Sequence, residues 1–260
     1  MHGGSPRPVL LSARGVTTDL TGARAIVTGS TTGIGYAIAR ALLDRGARVM
    51  CNSRQSAWEG PDLTAQYEHA DYVRGDVSQR GQAAALVQSV TERWGGVDIL
   101  INNAGTTRKI SHADVDAVTD EVWEAMLHGN VLGAWHMIQE CVPAMRHQGA
   151  GSIINITSLA GIEPSGSSVP YAAMKAALNH TTKLLAKSLG PEITVNAVAP
   201  GFIDTRWTAP WSDERARAVH RAPLGRTGTP QDVADSCLAL LGQPYVTGVI
   251  IPVDGGTHLS

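Results

Sequence analysis

Tyr171 and Lys175 stand four residues apart at the start of a predicted helix, so both side chains lie on one face, a single turn apart. An ammonium group beside a phenol stabilises the phenolate and lowers the tyrosine pKa from about 10 toward neutrality. A tyrosine placed in this way can exchange a proton with a substrate. Taken alone, the pair is equally consistent with an ordinary helix face and with a general acid/base.

Other polar residues stand where predicted strands end. Ser158 follows the predicted strand Ser152–Ile156 by two residues, and Asn103 follows the predicted strand Ile99–Ile101. A hydroxyl after a strand can donate to a carbonyl oxygen, although a serine there is more often a turn former. Asn130 lies inside a predicted helix, where asparagine is a poor helix former, so it marks a local irregularity or a bound water.

A glycine-rich turn lies between an apolar run that ends at Thr28 and a helical run that starts near Gly33. Gly29, Gly33 and Gly35 allow unusual φ angles and let backbone N–H groups approach an anion closely. The positive end of the helix dipole points at the same place. The turn therefore predicts a site for the pyrophosphate of a dinucleotide, although the spacing of its glycines fits the common dinucleotide pattern only loosely.

Short apolar runs alternate with helix-length stretches along the chain, which is typical of a parallel sheet covered by helices on both faces. The predicted strands are Arg24–Thr28, Arg48–Asn52, Tyr72–Arg74, Ile99–Ile101, Ser152–Ile156, Thr194–Val198 and Val249–Val253. The predicted helices are Gly33–Arg45, Ser78–Trp94, Glu121–His147 and Tyr171–Leu189. The fold class is α/β, a Rossmann-type doubly wound parallel sheet of about seven strands, in which ligands bind at the carboxyl ends of the strands.

Length and composition place most of the chain in one domain. With 260 residues, of which 43 % are hydrophobic, residues 21–260 are predicted to form one domain around a full core. Residues 1–20, rich in glycine and proline, are expected to be a flexible extension. Residues 201–230 carry Trp207 and Trp211, show no clean period, and are expected to form a lid over the substrate.

Composition also removes several classes of function. A formal net charge of −2 gives no reason to expect nucleic acid or a membrane surface as a partner. No apolar run is long enough for a signal sequence or a membrane span. Three separated cysteines and nine histidines without ligand spacing predict neither disulfides nor a metal site, and the cytoplasm is the expected compartment.

Several motifs, in order, resemble those of the short-chain dehydrogenase/reductase family, and in particular its 3-oxoacyl-acyl-carrier-protein reductases. Residues 28–35 resemble the family motif TGxxxGIG, and residues 102–105 are its NNAG. Asn130, Ser158, Tyr171 and Lys175 match its catalytic tetrad in order and spacing, and Pro200-Gly201 with Thr205 resembles the segment at the nicotinamide end. The resemblance extends from about residue 22 to residue 256.

The resemblance implies a hydride transfer that interconverts a ketone and a secondary alcohol. Tyr171 would be the general acid/base, Ser158 would bind the substrate oxygen, and Lys175 would lower the pKa of Tyr171. Asn130 would hold a water that resupplies the proton. The implied cofactor contacts are Gly29, Ser30, Thr32, Gly33, Ile34, Gly35, Ser53, Arg54, Asp76, Val77, Asn103, Ala104, Gly105, Tyr171, Lys175, Pro200, Gly201, Ile203 and Thr205. Family members usually form dimers or tetramers. The resemblance therefore implies a homo-oligomer, either a homodimer or a homotetramer.

The end of the second predicted strand bears on which nicotinamide is used. An NAD enzyme places an acid about 20 residues past the glycine turn, whereas here Ser53 and Arg54 follow the strand. A hydroxyl and a guanidinium would bind a 2′-phosphate, which predicts a preference for NADP(H), with NAD(H) as the alternative.

Two other functions remain open. One is an NAD-dependent dehydrogenase of a sugar, polyol or hydroxysteroid, and the other is a catalytically silent NADP(H)-binding sensor. An arginine-rich lid would suit an acyl-carrier arm or an acidic substrate, or would simply be a solvated face.

Overall fold

Seven parallel strands form one sheet in the computed structural model, which describes residues 19–55 and 58–260. The strand order is β3-β2-β1-β4-β5-β6-β7, as expected of a doubly wound fold. The strands are β1 Arg24–Thr28, β2 Arg48–Ser53, β3 Ala70–Arg74, β4 Ile99–Asn102, β5 Gly151–Ile156, β6 Ile193–Pro200 and β7 Ile250–Val253. The fold class and the number of strands predicted from the sequence are confirmed.

Helices cover both faces of the sheet. The helices are α1 Gly33–Leu43, α2 Leu63–Gln66, α3 Arg80–Trp94, α4 Asp120–Leu127, α5 Gly133–Gln148, α6 Val169–Leu189, α7 Ser212–Arg221 and α8 Pro230–Leu241. Apolar residues of α1 and α8 pack with one face of the central strands, and those of α3, α5 and α6 pack with the other. Because both faces are covered, the strands read as nearly continuous apolar runs rather than alternating ones.

The helix predicted over Glu121–His147 is not continuous. A π-helical turn, His128–Leu132, separates α4 from α5. Gly129 and Asn130, both weak helix formers, lie within it. The irregularity that Asn130 indicated is therefore a π turn, a feature that is frequent at functional sites.

The segment 201–230 is more regular than predicted. It contains α7, a helix of ten residues none of which is buried. After it, the Thr229 side chain caps α8 by accepting from the N–H of Asp232, and the Asp232 carboxylate accepts in turn from the N–H of Thr229. The sequence prediction overlooked this capping box, and α8 with it, although the polar residues of the box are a recognisable start signal.

The structure says little about the N-terminal extension. Residues 1–18 lie outside the described residues, so the expected flexibility of residues 1–20 applies mostly to residues that the structure does not describe. Leu20, at the end of that range, is only 1 % exposed and belongs to the core around α1. In the described part of the chain, no helix combines the length and the apolar character that a membrane span requires.

Candidate active site

A cleft of ≈ 1230 Å³ runs along the carboxyl ends of the central strands. The predicted cofactor residues that line it are Gly29, Thr32, Gly33, Ile34, Ser53, Arg54, Asp76, Val77, Asn103, Ala104, Gly105, Tyr171, Lys175, Pro200, Gly201, Ile203 and Thr205. Ser158 lines it as well, whereas Ser30, Gly35 and Asn130 do not. The fold thus gathers residues from most of the chain at one edge of the sheet, as expected for a doubly wound fold.

The glycine turn has the conformation that its composition predicts. Gly29 and Gly33 have φ angles of 64° and 53°, in the left-handed region that favours glycine. A Cβ added at Gly35 would lie 2.3 Å from the carbonyl oxygen of Gly29, so only glycine allows α1 to start this close to the turn. The resulting cradle of backbone at a helix start fits a pyrophosphate. Ser30 lies behind this cradle, where its hydroxyl accepts a 2.9 Å hydrogen bond from the N–H of Asn52.

Four hydrogen bonds join the residues after β4 to the glycine turn, and all four are donated by Asn103 or Ala104. The side-chain amide of Asn103 donates to the carbonyls of Thr28 and Gly29, at 2.9 and 3.1 Å. The hydroxyl of Thr28 accepts from the N–H groups of Asn103 and Ala104, both at 3.0 Å. Asn103 therefore positions the cleft floor with its side chain, and Ala104 and Gly105 present bare backbone to the cleft.

Ser158 and Tyr171 are brought together by a close approach of two turns. Ser158 starts a short 3₁₀ turn, Leu159–Gly161, and its hydroxyl accepts a 3.2 Å hydrogen bond from the N–H of Ala160. A Cβ at Gly161 would lie 2.6 Å from the carbonyl carbon of Lys175, so this turn rests directly on α6. Ser168 caps α6 by accepting from the N–H of Tyr171, which fixes the start of the helix beside the cleft.

Tyr171 and Lys175 share a face of α6, as their spacing predicts. The Lys175 Nζ lies 5.8 Å from the centre of the Tyr171 ring and donates a 3.0 Å hydrogen bond to the carbonyl oxygen of Ile156. Burial lowers the pKa of Lys175 to about 8. The same cause raises the pKa of Tyr171, and the hydroxyl of Ser158 acts in the opposite direction without reversing it.

This pKa direction corrects one expectation from the sequence. Lys175 was expected to lower the pKa of Tyr171, but burial dominates and the tyrosine pKa is raised. The Lys175 Nζ is directed to the backbone of β5, and burial lowers the pKa of this amine, so its charged form is less favoured than in water. Proximity on a helix face predicts the pair correctly, but it does not predict how far both groups are withdrawn from water.

Asn130 lies one layer behind the cleft wall. Its amide nitrogen donates to the carbonyls of Thr106 and Met126, at 2.9 and 3.0 Å, and its Oδ1 accepts from the N–H of Thr106 at 3.3 Å. A Cβ at Gly105 would lie 3.0 Å from that Oδ1 and 3.7 Å from the Lys175 Nζ. The missing side chain of Gly105 therefore leaves a space that faces both Asn130 and Lys175.

The two residues at the end of β2, Ser53 and Arg54, take different roles. The Ser53 hydroxyl is in contact with the carbonyl oxygen of Gln55 and lies 3.2 Å from the Tyr72 hydroxyl. Arg54 lines the cleft, and its carbonyl accepts a 3.0 Å hydrogen bond from the Arg74 Nε. Within the described residues, the Arg54 guanidinium has no ion-pair partner, so it can bind a ligand anion.

One acid at the cleft was missed by the sequence reasoning. The backbone N–H of Glu59 donates a 2.8 Å hydrogen bond to the carbonyl oxygen of Thr31, and its carboxylate accepts from the N–H of Gly33. Glu59 therefore lies against the glycine turn, and its carboxylate is beside Gly33, the first residue of α1. No periodicity or motif in the connection between β2 and β3 indicates this return, so the sequence carried no usable signal.

The segment 201–230, predicted to be a lid, forms ion pairs with the rest of the chain. The Lys109 Nζ lies 2.5 Å from a carboxylate oxygen of Glu214 on α7, and Arg221 lies 3.5 Å from Glu163. Arg215 and Asp204 form a bidentate pair within the segment, at 2.9 and 2.8 Å. Because most of its arginines are paired, this segment carries less free positive charge than its composition indicates.

The fold and the cleft define a class of protein, a nicotinamide-dependent oxidoreductase that acts on CH–OH or C=O groups. The sequence profile of a family described as enoyl-(acyl carrier protein) reductase matches residues 29–258. The chain belongs to the short-chain dehydrogenase/reductase family. Its resemblance to 3-oxoacyl-acyl-carrier-protein reductases, expected from the motifs, is likewise confirmed.

Three relatives illustrate this membership. Ketoacyl reductase 2 of the granaticin polyketide synthase of Streptomyces violaceoruber, whose name marks the assignment as provisional, is 44 % identical over 238 residues, which are 90 % of this chain and 96 % of the relative. The 3-oxoacyl-acyl-carrier-protein reductase of Thermotoga maritima is 36 % identical over 91 % of this chain and 98 % of its own. A gluconate 5-dehydrogenase of Burkholderia cenocepacia, solved with NADP and tartrate, has a TM-score of 0.84 at 30 % identity and covers 93 % of this chain and 97 % of its own.

Proposed function

We propose that the protein is an NADP(H)-dependent ketoacyl reductase that converts a 3-oxoacyl thioester to the 3-hydroxy compound, with Tyr171 as the general acid. The observation that carries the proposal is the position of Ser158, Tyr171 and Lys175 on one cleft with the glycine turn. The name of the granaticin relative, at 44 % identity, supports the ketoacyl substrate. Arg54, which lines the cleft without an ion-pair partner in the described part of the chain, supports NADP(H), as does the NADP bound to the gluconate dehydrogenase.

The chain offers a group for each part of a nicotinamide cofactor. The glycine turn would hold the pyrophosphate, Arg54 the 2′-phosphate, and Asp76 with Val77 the adenine. Lys175 would hold the nicotinamide ribose, and Gly201 with Thr205 the nicotinamide end. The bound cofactor supplies the hydride.

The side chains around the substrate carbonyl would handle its charge and its proton. Ser158 would donate a hydrogen bond to the carbonyl oxygen and stabilise the negative charge that develops there. Tyr171 would give its phenolic proton to the same oxygen. A raised pKa keeps Tyr171 protonated, which suits the reductive direction. Lys175 and a water in the space beside Gly105, held by Asn130, would then return a proton to Tyr171.

Turnover with defined substrates tests the proposal. NADPH consumption is followed at 340 nm with 3-oxoacyl thioesters, cyclic ketones, diketones and keto-sugars, with NADH in parallel. Tyr171→Phe should lower kcat by about 10²- to 10⁴-fold and should still bind the cofactor. Tyr245→Phe is the matched control, because Tyr245 is fully exposed. Turnover only with NADH and sugars or polyols would favour the alternative dehydrogenase, and cofactor binding without any turnover would favour a sensor.

We also propose that the protein is a cytoplasmic homo-oligomer, a dimer or a tetramer. Five large apolar side chains on α4, α5 and α6 are 37–55 % exposed in the described part of the chain, namely Trp123, Leu127, Trp135, Val169 and Leu184. Apolar side chains in such numbers on neighbouring helices are typical of protein–protein interfaces. Sedimentation equilibrium tests the assembly, and a monomer at micromolar concentration would contradict it.

A further inference from the structure

We propose that Glu59 is an internal anion that occupies the phosphate position of the glycine turn, so that a dinucleotide has to displace its carboxylate to bind. The inference rests on the proposed nicotinamide site. It concerns a residue outside the family motifs found in this sequence, in a connection that the strand and helix predictions left unassigned. Glu59 would thus set the affinity of the cleft for anionic cofactors.

The first step of the argument is the location of the carboxylate. Glu59 accepts a hydrogen bond from the N–H of Gly33, the first residue of α1. A Cβ at Gly33 would lie 4.0 Å from that carboxylate oxygen and 3.3 Å from the Thr205 Cγ2. Glu59 lines the cleft, and its carboxylate lies at the helix start, on the side of Gly33 that also faces the segment that would meet the nicotinamide end. This is the place where a helix N-terminus attracts an anion.

The second step is that the backbone around Glu59 is fixed independently of its carboxylate. The Tyr36 hydroxyl donates a 3.0 Å hydrogen bond to the carbonyl oxygen of Pro61, and a Cβ at Gly60 would lie 2.7 Å from that hydroxyl. The Trp58 ring packs between Tyr36 and Tyr72, with ring centres 6.2 and 5.8 Å apart. The segment 58–61 is thus held against α1, and Glu59 remains beside the turn even when its side chain rotates away.

The third step is electrostatic. A diphosphate and a carboxylate cannot both accept from the first N–H groups of α1, and their charges repel each other. When the side chain rotates away, the carboxylate loses one hydrogen bond and its favourable position at the helix dipole. That cost lowers the apparent affinity of the protein for a dinucleotide. Removal of the charge should therefore tighten cofactor binding, which is the opposite of what a residue that contacts the cofactor favourably would show.

Calorimetric titration of variants tests the inference through binding rather than activity. Glu59→Gln should bind NADPH and inorganic pyrophosphate about three- to tenfold more tightly than the wild type, and Glu59→Ala at least as tightly. Glu68→Gln is the matched control, since Glu68 is an exposed acid in the same connection and the change in net charge is the same. The gain should shrink at high salt, because the repulsion is partly screened.

Two results would overturn the inference. One is equal affinity of Glu59→Gln and Glu68→Gln for both ligands. The other is weaker binding of NADH to Glu59→Gln, which would make Glu59 a ligand of a ribose hydroxyl. If the wild type binds neither NADPH nor NADH, the proposed function fails, and the titration with pyrophosphate alone tests the internal anion. Tighter binding of pyrophosphate to Glu59→Gln than to the wild type would support it, and equal or absent binding would overturn it.

Discussion

Lys175 donates its hydrogen bond to the carbonyl oxygen of Ile156, at 3.0 Å, while its Nζ lies 5.8 Å from the centre of the Tyr171 ring. The amine is thus anchored on the last residue of β5, below the tyrosine. Only 5 % of Lys175 is exposed, and burial lowers its pKa to about 8. A charge held in such a position costs stability, and the family resemblance implies that it is kept for catalysis.

Lys175→Met should therefore stabilise the protein near pH 6.5, by about 1–2 kcal/mol, and abolish turnover. The pKa of Lys175 is about 8 in the folded state. Since the unfolded value is about 10.4, the unfolded chain binds more protons between these values, and wild-type stability rises across that window. The advantage of the variant should shrink accordingly near pH 10. Thermal unfolding at both pH values measures it, with the exposed Lys187→Met as control. A variant less stable than the wild type at both would contradict the prediction.

Gly105→Ala should block the proposed return of the proton. The added methyl group would lie 3.0 Å from the Asn130 Oδ1 and 3.7 Å from the Lys175 Nζ, which leaves no room for a water between them. We expect kcat to fall by about 10²-fold and to be partly rescued by imidazole buffer, which can supply the proton directly. Gly81→Ala is the control, because a Cβ there meets nothing within 4 Å. A loss of kcat that imidazole does not restore would point to a purely steric effect.

The strands could be predicted because they are buried on both faces. Arg24–Thr28 was predicted to the residue, and the ends of the other strands differ from their predictions by at most two residues. Residues that follow strands were therefore brought to the cleft correctly, as Ser158 and Asn103 illustrate. These placements depend on local composition and on the alternation of apolar runs with helix-length stretches, and both can be read from one sequence.

The position of Glu59 and the pKa direction of Tyr171 escaped prediction because they depend on contacts between distant residues. Glu59 reaches the glycine turn through the packing of Trp58 and Tyr36, which no local pattern indicates. The helix α7 has no buried residue, so its sequence lacks the apolar stripe from which a packed helix is predicted. The pKa direction of Tyr171 depends on how deeply the folded chain covers it, which spacing along α6 cannot tell.

Lys109→Met should loosen the lid and weaken substrate binding. Its ion pair with Glu214, at 2.5 Å, joins the loop after β4 to α7 across the cleft, and it also lowers the pKa of Glu214. An exposed pair contributes about 0–1 kcal/mol, so we expect KM to rise about two- to fivefold with kcat nearly unchanged. Arg93→Met, which breaks the similarly exposed Arg93–Asp71 pair on the far side of the fold, is the control. Equal KM values for the two variants would show that the pair does not hold the lid.

Arg54→Asp should move the cofactor preference from NADP(H) toward NAD(H). The guanidinium lines the cleft without an ion-pair partner among the described residues, so it can bind a 2′-phosphate, whereas an aspartate would repel that group and accept from a ribose hydroxyl. We expect the ratio of kcat/KM for NADPH over NADH to fall by about 10²-fold, or ~2.7 kcal/mol. Arg48→Asp makes the same change in charge at the other end of β2 and should leave the ratio unaltered. If both variants gave the wild-type ratio, Arg54 would not read the 2′-phosphate.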